Sequence, residues 1–257
     1  MHGRVALVTG ASRGVGRGVA IALHAVGATV YATGRTVLAA DLPRGVIRVP
    51  CDHADDDDTA ALFAKIAARE ARLDVVVNSA WGGYEGMVED GRFTWPAPFF
   101  EQPVRRWDAM FHSGVRAAFV VSSHAARVMV PARRGLIVNL SSWAARKRVG
   151  NALYGVAKAA TDRLTAECAH ELLPHAVAVV SLYPGLVRTE AVLEARVFDL
   201  SNSESPEFSG RAVAALARDP DVLRWSGRVA VAAQLALDYG FTDVDGRQPR
   251  PITEDEV

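Results

Sequence analysis

Short apolar runs alternate along the chain with longer segments that have helical periodicity. The apolar runs, each of which predicts a buried strand, are 4–8, 29–33, 46–50, 74–78, 136–140, 176–182 and 229–235. Helical patterns follow most of these runs, and they end near Val26, Arg72, Val130 and Leu173. This alternation predicts one doubly wound α/β domain over residues 1–257, with a mostly parallel sheet of about seven strands.

Two segments interrupt the alternation. Segment 84–107 follows the fourth predicted strand, and its prolines break any helix. Its aromatic residues include Phe93, Trp95, Phe99 and Phe100. Because pockets form at the carboxyl ends of parallel strands, these side chains predict a substrate-side loop; the alternative is an aromatic cluster packed over a helix. Segment 190–218 is predicted to form mobile helices, with a break at 201–205.

Composition limits the classes of function. The 257 residues are 50% hydrophobic, which is enough for a sizeable core, and the formal net charge is +0. No bulk field therefore attracts nucleic acid or an anionic membrane, and no apolar run approaches the ~20 residues that span a bilayer. The two cysteines, Cys51 and Cys168, make no disulfide framework. Because the first strand begins by Arg4, we expect no signal peptide and a cytoplasmic location.

A glycine turn connects the first predicted strand to the first helix. The turn is Thr-Gly-Ala-Ser-Arg-Gly-Val-Gly, residues 9–16. Gly10 permits a tight turn, while Gly14 and Gly16 allow a ligand to approach the backbone closely. Backbone N–H groups at the start of a helix bind phosphate, so the turn predicts a nucleotide site; the alternative is a plain tight turn.

The end of the second strand predicts which nucleotide binds. An acidic residue here would bind the ribose 2′-hydroxyl of NAD, but Gly34 and Arg35 occupy the place. Arg35 and Arg13 could together clamp a 2′-phosphate, which favours NADP(H) over NAD(H). The alternative is that both are solvated surface arginines.

A proton-handling set follows the strand 136–140. The strand ends in Ser141-Ser142, and a helical pattern then places Tyr154 and Lys158 four residues apart on one face. A phenol alone is a poor acid or base at neutral pH, but a cation beside it favours the phenolate. A hydroxyl can donate to a carbonyl oxygen as charge develops there. The alternative for a lone Tyr-x-x-x-Lys is ordinary helix surface.

The acidic run 51–58 is a weaker candidate, for a metal site. It contains a cysteine, a histidine and five aspartates. Its carboxylates open a predicted helix, where they favour the positive end of the helix dipole and solvent. We therefore predict no metal.

The glycine turn, the Ser-Ser pair and the Tyr-x-x-x-Lys pair, in this order, resemble the short-chain dehydrogenase/reductase family over roughly residues 4–240. Segments 136–160, 168–189 and 243–247 resemble the branch that contains dehydrogenase/reductase member 1. The resemblance implies a Rossmann-type fold and makes Tyr154 the acid–base residue, with Lys158 beside it. It also implies that segment 190–218 acts as a lid. The loop between Ser142 and Tyr154 is one residue shorter than in the family. Counting back from Tyr154 therefore favours Ser141 as the catalytic hydroxyl, and counting from the strand favours Ser142. We prefer Ser142, because a deletion is more readily accommodated in the loop than in the strand.

The resemblance also implies a cofactor site, a function and an assembly. The cofactor-binding residues it implies are Gly10, Ser12, Arg13, Gly14, Val15, Gly16, Arg35, Asp52, Asn78, Ala80, Tyr154, Lys158, Pro184, Gly185, Val187 and Thr189. The implied function is an NADP(H)-dependent carbonyl reductase or alcohol dehydrogenase for a bulky apolar small molecule, in a homodimer or homotetramer. The alternative is a nucleotide-binding sensor or scaffold that keeps the fold with little turnover.

The chain departs from the family pattern at two places. Trp81 stands where the family's Asn-Asn-Ala-Gly segment has its glycine, and Gly114 stands where the family has a fourth catalytic residue, an asparagine that holds a water. A glycine in a kinked helix leaves room for water, so we expect that water at Gly114 still connects Lys158 to solvent. The expected substrate-side residues are Trp81, Trp95, Phe99, Phe100 and Trp143.

Overall fold

Strands and helices alternate through the computed structural model, which describes residues 1–84, 87–89 and 92–256. The strands are β1 (Val5–Val8), β2 (Thr29–Thr33), β3 (Ile47–Val49), β4 (Val75–Asn78), β5 (Val88–Glu89), β6 (Arg92–Phe93), β7 (Gly135–Leu140), β8 (Val177–Tyr183), β9 (Leu186–Val187), β10 (Ser203–Glu204) and β11 (Val229–Val231). The α-helices are α1 (Gly14–Ala25), α2 (Asp56–Ala67), α3 (Val104–Met110), α4 (Ala117–Ala132), α5 (Ala152–Leu172), α6 (Glu190–Ala195), α7 (Pro206–Arg218) and α8 (Ala232–Tyr239). Short 3₁₀ turns are Val37–Ala39, Phe99–Glu101, Trp143–Ala145, Leu173–His175, Val222–Trp225 and Glu254–Glu256.

A seven-stranded sheet, in the order β11-β8-β7-β4-β1-β2-β3, forms the centre of the molecule. Each neighbouring pair in this sheet is parallel. The strand order reverses between β1 and β4, and an open α/β sheet binds ligands beyond the carboxyl ends of its strands at such a point. The predicted doubly wound α/β fold is therefore confirmed.

Two apolar clusters bury the two faces of the sheet. One cluster joins the sheet to α1, α7 and α8, and the other joins it to α2, α4 and α5. The strands read as nearly continuous apolar runs because both of their faces are covered. Their central residues are the most buried of the chain.

Helix α7 belongs to this core, although it lies inside the segment predicted to be a lid. A β-carbon on Gly18 of α1 would lie 2.1 Å from the backbone of Pro206, and one on Gly210 would lie 2.5 Å from Ala22. The two helices thus pack backbone against backbone, and Phe208 is fully buried. The packing narrows the candidate lid to residues 190–202.

Two predicted boundaries were wrong. The last strand ends at Val231 rather than at residue 235, because the alanine-rich residues that follow form α8. Helix α2 ends at Ala67 rather than near Arg72. The predicted break at 201–205 does lie between α6 and α7, and it contains β10, which pairs with β9.

The long helix predicted over 106–130 contains a distortion. It runs from Val104 to Ala132, but residues Phe111–Arg116 adopt a π-helix between α3 and α4. Single π-helical turns inside α-helices occur frequently at functional sites. Gly114 lies in this turn.

The acidic run caps a helix. Asp55 precedes α2, and its carboxylate accepts the N–H groups of Asp57 and Asp58. Within the described ranges, no group of three or more His, Cys, Asp or Glu side chains is placed to hold a metal ion. In the same part of the chain, no helix is both long enough and apolar enough to cross a bilayer.

Candidate active site

Tyr154 is held in place by the residue that caps its helix. Asn151 precedes α5, and its carboxamide oxygen accepts the N–H of Leu153 at 2.8 Å and of Tyr154 at 3.2 Å. The amide group of Asn151 donates to the carbonyl of Trp95 at 2.9 Å. One side chain therefore fixes both the first turn of α5 and the aromatic loop beside it.

The structure separates the two candidate serines. Ser142 donates to the phenol oxygen of Tyr154, with 3.0 Å between the two oxygens. Ser141 is buried, and its hydroxyl donates to the backbone carbonyl of Lys158 at 3.4 Å. Ser142 is thus the hydroxyl beside the phenol, and Ser141 is a packed residue under the helix.

Lys158 lies one turn along α5 from Tyr154 and is only 7% exposed. Its Nζ donates to the carbonyl of Leu140, at the end of β7, at 3.0 Å. Burial lowers the pKa of Lys158 to about 8, and the carboxylate of Asp162 opposes that change. Its ammonium can therefore lose a proton close to neutral pH.

Aromatic side chains enclose the phenol. The ring centroids of Trp81, Tyr84 and Trp95 lie 5.7, 6.1 and 5.5 Å from that of Tyr154. The hydroxyl of Tyr84 donates to that of Tyr154 at 3.3 Å, which gives the phenol oxygen a second partner. Sequence reasoning missed Tyr84 and Asn151 as site residues. Asn151 carried a signal, a capping residue before a helix, but Tyr84 carried no spacing signal.

Three of the expected substrate-side residues lie elsewhere. Phe99 and Phe100 form part of a 3₁₀ turn, pack on each other at 5.6 Å and are 70% and 73% exposed. Trp143 packs edge-on against Tyr183 and lines a cavity of about 590 Å³ beside β11. Segment 84–107 therefore supplies Tyr84 and Trp95 to the site and leaves its phenylalanines outside. Residues 85, 86, 90 and 91 of that segment lie outside the described residues.

At Gly114, where we expect water, the structure places an indole ring against the backbone. A β-carbon on Gly114 would lie 2.6 Å from the Cε3 and Cζ3 atoms of Trp81. The benzo edge of the indole therefore fills the space beside the π-helical turn. The same ring lies under the Lys158 ammonium, whose nitrogen is 4.1 Å from the ring centroid.

Buried polar side chains tie together the strands behind the site. The Asn78 amide donates to Asn139 at 2.7 Å and to Ser122 of α4 at 3.0 Å. Asn139 donates in turn to Thr165, which accepts from Ser181. All four bonds are buried; the Asn78–Asn139 bond joins β4 to β7, and the other three join strands to α4 or α5. The network therefore fixes the carboxyl ends of β4, β7 and β8.

The glycine turn fits a nucleotide phosphate. A β-carbon on Gly10 would lie 2.7 Å from the Ser79 carbonyl, and one on Gly16 would lie 2.4 Å from the Gly10 carbonyl, so neither position can carry a side chain. The N–H of Gly14 donates to a carboxylate oxygen of Glu190 at 2.9 Å. The start of α1 therefore already holds one anionic oxygen.

Other expected cofactor residues lie after the carboxyl ends of β2, β3 and β4, beside the crevice where the strand order reverses. Arg13 and Arg35 are exposed, and Arg35 directly follows the end of β2. Asp52 accepts the N–H of Ala54 at 3.0 Å, in the turn before α2. The Thr9 hydroxyl accepts the N–H groups of Ser79 and Ala80, each at 3.0 Å, so β1 holds the segment after β4.

The Pro184–Thr189 segment leaves β8 toward α6. Gly185 donates its N–H to the carboxylate of Glu204, which is 1% exposed. Arg188 donates to the buried carboxylate of Asp243 at 3.0 Å and thereby ties the segment to the tail of the chain. Thr189 caps α6, and its side chain lies near Gly14. Sequence reasoning missed Glu204, which no spacing pattern marks.

This arrangement can transfer a proton to or from an oxygen atom. Ser142, Tyr154 and Lys158 meet at the carboxyl ends of β7 and the start of α5, beside the crevice where the strand order reverses. The hydroxyl and the phenol lie together, and the ammonium supplies positive charge.

Comparison with known proteins agrees with these features. The family description "short chain dehydrogenase" matches residues 4–197. The protein named dehydrogenase/reductase SDR family member 1 is 42% identical in Mus musculus and 40% in Homo sapiens, over 96% of this chain and 85% of each relative. L-xylulose reductase of Bos taurus is 35% identical over 74% of both chains.

Solved structures show the same fold. A short chain dehydrogenase/reductase family protein has a TM-score of 0.75 and 32% identity, covering 90% of this chain and 95% of that one. An NADPH-dependent reductase involved in bacilysin biosynthesis has a TM-score of 0.72 at 22% identity, covering 89% and 96%.

Proposed function

The chain belongs to the short-chain dehydrogenase family of oxidoreductases, and from that membership we propose that it is an NADP(H)-dependent carbonyl reductase or alcohol dehydrogenase. The single observation that carries this proposal is the Ser142–Tyr154 hydrogen bond of 3.0 Å, with Lys158 one helical turn away. Such a set serves proton transfer to an oxygen, which accompanies reduction of a carbonyl.

The chain's own residues handle the proton. Tyr154 donates a proton to the substrate oxygen in reduction and accepts it in oxidation. Ser142 donates a hydrogen bond to the same oxygen as negative charge develops there. Lys158 favours the phenolate electrostatically and restores the proton to it from solvent. The nicotinamide, when bound, supplies or accepts the hydride.

The crevice residues hold the cofactor in this proposal. The N–H groups of the turn Gly10–Gly16, with Ser12 and Val15 in it, bind the diphosphate. Arg13 and Arg35 bind the 2′-phosphate. The remaining contacts come from Asp52, Asn78, Ala80, Lys158, Pro184, Gly185, Val187 and Thr189. Their positions around the strand reversal support this assignment.

The aromatic enclosure supports a bulky apolar substrate. Trp81, Tyr84 and Trp95 surround the phenol of Tyr154 with apolar rings, and such pockets bind ligands mainly by apolar contact.

The cysteines Cys51 and Cys168 are free thiols, which supports the predicted cytoplasmic location.

Cofactor titration and a carbonyl panel test the proposal together. NADPH is expected to bind more tightly than NADH, because each charged contact to a phosphate is worth ~1.5–3 kcal/mol. Arg35→Asp should weaken NADPH binding far more than NADH binding, and Arg44→Asp, at another basic position, serves as the matched control.

The panel consists of apolar ketones and is followed by the loss of NADPH absorbance. Equal or tighter binding of NADH would remove the NADP preference. NADPH binding without oxidation across the whole panel would support the sensor or scaffold function instead.

A further inference from the structure

Trp81 lies against two members of the proton-handling set, Lys158 and Tyr154. Its ring lies 4.1 Å from the Lys158 nitrogen, and its centroid lies 5.7 Å from that of Tyr154 in an edge-on arrangement. Its benzo ring lies between Gly83 and Gly114, and a β-carbon at either position would lie 2.6 Å from the ring. The indole is therefore wedged between the π-helical turn and α5.

The two departures from the family pattern are therefore in direct contact. The family has a glycine where this chain has Trp81 and an asparagine where it has Gly114. The indole and an asparagine side chain cannot share the space, because a single β-carbon at position 114 already collides with the ring. Each departure thus makes room for the other.

We propose that Trp81 is a positioning residue that takes the place of the hydrogen-bonded relay at position 114. The face of the indole stabilises the Lys158 ammonium by a cation–π contact and excludes water from its α4 side. This inference rests on the proposed function, because it assigns Trp81 a part in the same proton transfer.

The surroundings of Lys158 are consistent with this role. The groups around its ammonium are Tyr154 and Asp162 from α5, the Leu140 carbonyl from β7, and Trp81 from the segment after β4. The π-helical turn presents Gly114, which has no side chain, toward the indole. On the side of Lys158 that faces the π-helical turn, the ammonium therefore contacts the aromatic face of Trp81. A cation–π contact of this kind is stronger when water is excluded.

The lysines of the chain provide a direct test. Lysine occurs only at Lys65, Lys147 and Lys158, so an NMR titration of ¹³Cε-labelled lysine gives three signals. Lys158→Arg assigns the buried one, and the other two are internal controls. Trp81→Leu keeps an apolar side chain but removes the π face, while Trp81→Phe keeps a π face.

In the Leu variant the pH midpoint of Lys158 should fall by about one pH unit, because the ammonium loses its cation–π partner. In the Phe variant it should fall by less than half of that. Lys65 and Lys147 should not move. An equal effect of both variants, or a rise in the midpoint with Leu, would overturn the proposal.

An exchange of residues tests the steric part. Gly114→Asn alone and Trp81→Gly alone should each reduce kcat by at least about tenfold, whereas the double variant should recover to within about threefold of wild type. Gly240→Asn places the same residue in open space and should leave kcat unchanged, since asparagine tolerates positive φ. A double variant whose loss of kcat equals the product of the two single losses would contradict the steric coupling of the two positions.

The two experiments separate this inference from the proposed function. If wild-type protein oxidises no NADPH, the proposed function fails, and the lysine titration still decides whether Trp81 stabilises the cation. If thermal unfolding shows that the double variant does not fold, the lysine titration of the single Trp81 variants still tests the role of Trp81. If wild type is active and the pH midpoint of Lys158 is unchanged in both Trp81 variants, the proposed function stands and the role of Trp81 is removed.

Discussion

Single buried charges are the residue-scale features that most clearly separate this site from its surroundings. Lys158 and Glu204 are 7% and 1% exposed. Lys158 is assigned to the cofactor site, and Glu204 accepts the N–H of Gly185, which is also assigned to it. Burial raises the pKa of Glu204 to about 7, with a smaller contribution from the charge of Asp243, while the Gly185 N–H and Arg188 oppose the change. Burial of a carboxyl group disfavours its charged form.

Glu204 gives a pH dependence of stability whose sign is fixed. The pKa of Glu204 is higher in the folded protein than the ordinary 4.5, so the folded state favours the protonated carboxyl group. The contribution of Glu204 to the free energy of unfolding is therefore complete below about pH 4.5 and is lost as pH rises through about 7. Above that pH the ionised form costs about 3 kcal/mol. Glu204→Gln should remove this loss and make the protein more stable than wild type at pH 8.

Urea unfolding at pH 5 and pH 8 measures this effect. Glu194→Gln, at an exposed position of α6, is the matched control and should follow wild type at both pH values. A Glu204→Gln protein that is less stable than wild type at pH 8 would show that the ionised carboxylate is needed.

At the scale of elements, α6 is anchored on the glycine turn by its first residue. Glu190 accepts the Gly14 N–H at 2.9 Å, and its other oxygen lies 3.1 Å from Arg17. A cofactor phosphate at the start of α1 needs the same N–H donor. The Glu190 carboxylate and a cofactor phosphate therefore compete for one N–H donor, and we expect the Glu190 side chain to move when the phosphate binds.

Glu190→Gln should tighten NADPH binding. The variant removes a charge that repels the phosphate, and because Glu190 is half exposed the gain is about two- to fivefold. Titration at low and high salt measures it, and the gain should shrink at high salt. Glu194→Gln on the same helix is the control. Weaker binding by Glu190→Gln would show that the carboxylate helps to hold the cofactor.

Elements were more predictable from the sequence than the contacts between them. Apolar runs fixed the seven central strands because parallel strands are buried on both faces. The glycine turn and the Tyr154–Lys158 spacing are local patterns, and the structure places them at one edge of the sheet. Contacts made by loops left no such pattern, so Tyr84 was missed and Phe99 and Phe100 were misplaced. Trp81 filling the space at Gly114 depends on two segments meeting in three dimensions.

At the scale of the whole molecule, an apolar groove on α3, α4 and α5 supports the proposed homodimer or homotetramer. The groove has a volume of about 430 Å³, and its apolar lining includes Trp107, Phe111, Phe119 and Leu164. Phe119 is 54% exposed at its rim. A second copy of the chain would bury these rings, and apolar burial drives such association.

Phe119→Glu should convert the assembly to monomers, because the charge would be buried in the interface. Sedimentation at micromolar concentration measures the mass. Leu38→Glu, at another exposed apolar position, is the control and should keep the wild-type mass. Wild-type protein that sediments only as a monomer would contradict the proposed assembly.

Deletion of one oxygen atom tests the proposed function of the whole molecule most directly. Tyr154→Phe keeps the ring and its aromatic contacts but removes the hydroxyl that Ser142 and Tyr84 approach. Tyr84→Phe makes the same deletion on a neighbouring ring and is the matched control. The measurement is turnover of one reducible ketone by wild type and both variants, with NADPH affinity measured in parallel.

Turnover by Tyr154→Phe should fall by the ~10²–10⁴-fold typical of a general acid–base residue, while Tyr84→Phe loses less than about tenfold. NADPH affinity should survive in both variants, because the phosphate site lies on the glycine turn. A Tyr154→Phe protein that turns over at a rate near that of wild type would contradict the mechanism.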